Sequence, residues 1–106
     1  MNEERRGLRF SFSADAQVAA ENALTDLAPG RVTEISFRGC FLETLAKFAE
    51  QRRVVVKIFS DGEYFESEAA VLYIRANGIG LEFRETKPAF RAVLQHWILD
   101  KLHSQP

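Results

Sequence analysis

Arg5, Arg6 and Arg9 stand close together near the start of the sequence, and a second polar cluster, Glu34, Ser36 and Gly39, begins 25 residues after Arg9. Arginine's planar fork of N–H donors matches phosphate oxygens and the O6/N7 edge of guanine, where lysine is only a point charge. The chain carries ten Arg against four Lys. Glu34 and Ser36, two apart in a stretch that reads as a strand, are expected to look out on one face with Ile35 opposite. A carboxylate and a hydroxyl placed so make a polar site, and Gly39 leaves space for backbone to approach a ligand. Taken singly, the arginines also describe a solubilising terminus, and Gly39 a plain tight turn.

No chemistry beyond binding is visible. The sequence holds no nucleophile with an attendant base, no Gly-rich phosphate loop opening a helix and no acidic cluster for a metal, so no enzyme and no metal site are expected. His96 and His103 are seven apart without residues to complete a ligand set, and read as solvated helix positions. Cys40 is the one cysteine, so no disulfide or thiolate cluster forms within the chain, and it reads as a small buried residue rather than a redox switch. A net charge of −1 argues against a general binder of nucleic acid polymers, which need a positive surplus over the phosphates. No apolar run approaches the roughly 20 residues that span a bilayer, and residues 1–6 are charged where a signal peptide turns apolar, so the expectation is a cytoplasmic protein without membrane insertion.

These residues must be held by a single domain, since 106 residues, 46% of them hydrophobic, suffice for one core. Residues 10–18 alternate strictly, Phe10, Phe12, Ala14, Ala16 and Val18 on one face and polar residues on the other, predicting a half-buried strand. Residues 19–27 stay open between a helical turn, a strand end and an excursion, with Pro29-Gly30 as a turn. Strands are predicted at 31–36 and 40–43 as neighbours, joined by a sharp reversal at Gly39. Residues 44–51, with Leu45 and Phe48, suit a short helical turn or a compact loop. Asp61-Gly62 and Asn77-Gly78 are hairpin turns that make 54–59, 64–74 and 79–83 a meander. From Lys87-Pro88 the period changes: Phe90, Val93, Leu94, Trp97, Ile98 and Leu102 form one stripe of a helix over about 87–103. Trp97 belongs to that stripe and is expected to pack onto the sheet. The economical architecture is mainly β, a small antiparallel barrel capped by a C-terminal helix.

In order and spacing, Arg5-x-x-x-Arg9 followed by Glu34-x-Ser36-x-x-Gly39 resembles the PilZ domain family, whose pattern is Arg-x-x-x-Arg and then Asp or Asn-x-Ser-x-x-Gly. The resemblance extends through Phe41-Leu42-Glu43 to Gly78-Ile79-Gly80-Leu81-Glu82-Phe83. It implies a six-stranded antiparallel barrel with a C-terminal helix that binds cyclic di-GMP and relays the signal to a protein partner. Carried over, it implies that Arg5 and Arg9 hold phosphates and the guanine Hoogsteen edge with Arg6 as helper, that Ser36 bonds a phosphate or base, and that Gly39 leaves room. Residues 1–9 would then be a mobile arm and 10–106 the barrel domain. Glu34 departs from the pattern, reaching roughly 1.5 Å further than Asp with more rotamer freedom to lose. That departure permits a second reading, a PilZ-like protein-interaction scaffold with weak or no cyclic di-GMP binding. A third, a barrel stacking single-stranded nucleic acid on Phe10, Phe12 and Phe37, conflicts with the inward alternation of Phe10 and Phe12.

Overall fold

The computed structural model describes residues 8–104. Among these residues six strands, β1 (Phe10–Ala20), β2 (Ala28–Ile35), β3 (Gly39–Glu43), β4 (Arg53–Ser60), β5 (Glu63–Arg75) and β6 (Gly78–Arg84), precede one helix, α1 (Pro88–Ser104). Every strand pair is antiparallel, and the order β1-β2-β3-β6-β5-β4 closes on itself as a barrel. Closure leaves no sheet edge to pair with another chain. The mainly β barrel with a C-terminal helix is the architecture the sequence predicts.

Alternation builds the barrel wall. In β1, Phe10, Phe12, Ala14, Ala16 and Val18 are buried while Ser11, Ser13 and Asp15 are exposed. Val32, Leu42, Val54, Val56, Ile58, Phe65 and Val71 bring every other strand except β6 to 0% exposure, and β6 adds Ile79 and Leu81. Each such side chain contributes about 1.5–3 kcal/mol relative to leaving it in water. Helix α1 closes one end: Leu94, Trp97 and Ile98 are buried, and the Trp97 ring lies 5.2 Å from Phe12 and 6.2 Å from Phe65. Trp97 Nε1–H donates to Glu63 Oε1 at 2.9 Å, pinning the helix to the start of β5. Phe90 and Val93 pack at the margin, but Leu102 is 43% exposed, so the expected stripe ends at Ile98.

Two local expectations change, and of the two forms expected for residues 44–51 the loop is the one present. Pro29-Gly30 is no turn; it lies inside β2, opposite Gln17 and Ala16, and the reversal occupies residues 21–27, where Ala23 and Asp26 amides donate to the Ala20 and Ala23 carbonyls. Residues 44–51 form an irregular loop, with Phe48 against the core and Leu45 93% exposed. Asp61 and Gly62 have φ of 53° and 77°, as a right-twisted two-residue hairpin requires. The second hairpin instead turns on Ala76 and Asn77, neither at positive φ, and Gly78 begins β6, where a Cβ would meet the Leu42 carbonyl oxygen at 2.2 Å.

Candidate functional site

Strands β1, β2, β3, β6 and β5 place one transverse row on the outer wall: Ser11 opposite Glu34, Glu34 opposite Phe41, Phe41 opposite Gly80 and Gly80 opposite Tyr73. Above this row opens a cavity of about 360 Å³, lined at one side by Arg9, Glu34, Ser36 and Gly39. Its floor is apolar. Gly80 has no Cβ, and one built there would fall 2.2 Å from the Tyr73 ring, so the tyrosine lies over the glycine. The Phe41 and Tyr73 centroids are 6.2 Å apart with planes within 20°, and the Arg75 guanidinium sits 4.3 Å from the Tyr73 centroid. Arg38 and Glu82 form the remaining polar wall, 3.4 Å apart.

The expected site residues thus meet where they are described: Arg9, Glu34, Ser36 and Gly39 share one cavity, while Arg5 and Arg6 lie outside the described residues. Arg9 Nη1 stands 3.7 Å from Glu34 Oε1, with both side chains about half exposed. An exposed pair of that length stabilises by at most about 1 kcal/mol, so an entering anion displaces the carboxylate at little cost.

Ser36 does not look out beside Glu34. β2 ends at Ile35, so strand alternation does not extend to Ser36, which is buried in the β2–β3 turn. Its Oγ accepts from the amides of Arg38 and Gly39, each at 3.1 Å, and donates to the Gly39 carbonyl at 3.3 Å. Both lone pairs are taken; the proton is held by a contact long for O–H···O. Gly39 is not at positive φ, and its need for hydrogen comes from the neighbouring strand: a Cβ would lie 1.9 Å from the Leu81 carbonyl oxygen.

Sequence reasoning missed Arg38, Phe41, Tyr73 and Glu82. The signal was present in the alternation of β3, where inward Cys40 and Leu42 leave Phe41 outward, and in Gly80, a strand glycine that calls for a ring across it. Cys40 is buried against this wall, and burial pushes its thiol up to about 12, which removes the thiolate a redox switch requires. Among the described residues no group of acidic, His and Cys side chains could hold a metal ion.

Compared with known protein families, residues 3–100 match the PilZ domain. The chain belongs to the PilZ domain family. Among solved structures, this PilZ domain is similar to the PilZ domain of CeSA from a cellulose-synthesizing bacterium, at TM-score 0.71 and 14% identity over 89% of this chain and 97% of that one. It is similar to the Bacillus subtilis inhibitor of motility MotI/DgrA, at TM-score 0.71 and 20% identity over 92% of this chain but 51% of that one. An uncharacterized Legionella protein matches at TM-score 0.58 and 20% identity, over 91% of this chain and 94% of that one. At these identities the likeness is one of fold. No curated protein matches. In this PilZ domain no helix among the described residues is long and apolar enough to cross a membrane.

Proposed function

We propose that this PilZ domain is a cytoplasmic, non-catalytic receptor for cyclic di-GMP that relays occupancy of its cavity to a protein partner. The observation that carries the reading is the convergence of Arg9, Glu34, Ser36 and Gly39, four positions of the two family motifs, on one cavity. Arg9, joined by Arg5 and Arg6, supplies bidentate donors to phosphate and to guanine O6/N7. Ser36, its lone pairs committed to the turn, acts on the ligand as a donor, turning its weakly held proton to a phosphate oxygen. Phe41 and Tyr73 offer a flat apolar floor that suits a purine face. PilZ domains are generally cyclic di-GMP-binding effectors, which supports the ligand.

The second reading, a protein-interaction scaffold with weak or no nucleotide binding, draws on the ion pair that already occupies Arg9 and on Glu34 in place of Asp or Asn. Calorimetric titration separates the two. Cyclic di-GMP is expected to bind saturably, Arg9→Ala to weaken it by about tenfold or more, and a single-stranded oligonucleotide to give no heat. Glu34→Asp, whose shorter side chain releases Arg9, is expected to tighten binding. Absence of heat with cyclic di-GMP at low salt sinks the receptor reading in favour of the scaffold.

A further inference from the structure

Beside the cavity lies a groove of about 420 Å³, and Arg38 and Glu82 line both. The groove is lined further by Phe37, Arg84, Arg91 and Gln95. Glu82 Oε2 accepts from Arg38 Nη2 at 3.4 Å and its Oε1 forms an ion pair with Arg84 Nη2 at 2.9 Å, so one carboxylate is shared by two guanidiniums. Arg91 reaches the Thr86 carbonyl at 3.1 Å, and the first turn of α1 carries no acidic residue. Three arginines therefore face two carboxylates, Glu82 and Glu85, leaving a positive surplus on a chain whose net charge is −1. Arg84 Nε is a buried donor among the described residues, so it is the exposed part of this side chain, 40% accessible, that lines the groove. Phe37, 49% exposed, adds an apolar contact at the same place.

We propose that this groove docks an acidic segment of a partner protein, its carboxylates on Arg84 and Arg91 and an apolar side chain on Phe37. Because Arg38 belongs to both spaces, occupancy of the cavity sets the charge of the groove. An anion in the cavity draws Arg38 from Glu82, whose carboxylate then neutralises Arg84 alone, and the groove's surplus is lost. Cavity ligand and acidic segment thus oppose each other, reciprocally. The groove owes nothing to the nucleotide reading; the coupling rests on it.

The test is fluorescence anisotropy with a fluorescein-labelled peptide of alternating Glu and Leu, beside the same peptide with Gln for Glu. Saturable binding of the Glu peptide is expected, weakened by salt and reduced about tenfold or more by Arg91→Glu, while Arg31→Glu, an equal charge reversal elsewhere on the barrel, leaves it unchanged. No binding, equal binding of the Gln peptide, an unaltered Arg91→Glu variant, or displacement of the peptide by a single-stranded oligonucleotide each overturns the acidic-segment assignment. Saturating cyclic di-GMP is expected to weaken the peptide several-fold. If the nucleotide binds by calorimetry and peptide affinity stays constant, the coupling is wrong; if the nucleotide does not bind at all, the receptor reading fails while the groove result stands.

Discussion

Two amides, of Arg38 and Gly39, converge on the Ser36 hydroxyl, and the turn that carries the site depends on them. Ser36→Ala strands those donors beside the core, and denaturant titration should show a loss of about 1–3 kcal/mol. Any fall in ligand binding by that variant would follow from the turn as much as from a lost contact. Gly39→Ala places a methyl 1.9 Å from a carbonyl oxygen of β6, and since that neighbour is backbone, the strands themselves must part. The expected cost is about 3 kcal/mol, read from the same titration. Tyr73→Ala removes half the aromatic floor and uncovers Gly80, so it should lower stability by about 1 kcal/mol or less while weakening cyclic di-GMP by about tenfold, as loss of base stacking does. Equal affinity in that variant would show that the base sits elsewhere.

At the scale of elements, α1 is secured by packing and by two side chains that meet Glu63, Trp97 through Nε1 and His96 through Nδ1, and the packing and the Trp97 bond can be weighed separately. Trp97→Phe keeps a ring near Phe12 and Phe65 but removes the donor to Glu63, and should lower stability by about 1–2 kcal/mol. Trp97→Ala also empties the barrel end and should cost about 4 kcal/mol. Thermal denaturation of both variants gives the split, and equal losses would mean that the ring's packing contributes nothing beyond the Glu63 bond. The strands that such packing stabilises were legible because a closed barrel has one dry and one wet face, which writes the alternation of Phe10 to Val18 directly into the sequence. Turns were less legible. Pro29-Gly30 looks like punctuation yet lies within β2, and the reversal at 21–27 contains neither residue type. Gly39 and Gly78 are glycines for close strand approach across β3 and β6, a long-range reason that local spacing does not contain. Arg9, Glu34, Ser36 and Gly39 could be found from motif spacing, and Arg38 sits inside the same motif at a position its pattern leaves open, whereas Tyr73 and Glu82 join the cavity only through pairing of β3, β5 and β6.

Considered whole, the barrel encloses its one thiol within a continuous core and sets a second titratable group, Tyr64, at the hairpin where β5 meets α1. Burial raises Cys40 from 9.0 to about 12, and Tyr64 rises from 10.0 to about 12 through burial first and then its hydrogen bond to Glu66. In the unfolded chain both groups ionise at their ordinary values. Between those values and about 12 the folded barrel therefore holds protons that the unfolded chain has released, and stability must fall as pH rises. The contribution is fully present below the unfolded value of 9.0 and is lost as pH climbs toward about 12. Denaturant midpoints measured at successive pH values should be flat near neutrality on this account and decline above 9.0. Cys40→Ala, less stable at neutral pH for its lost packing, should show the shallower alkaline decline, because one of the two linked groups is gone. A variant whose midpoint falls as steeply as the parent's would show that the thiol ionises as readily in the barrel as outside it.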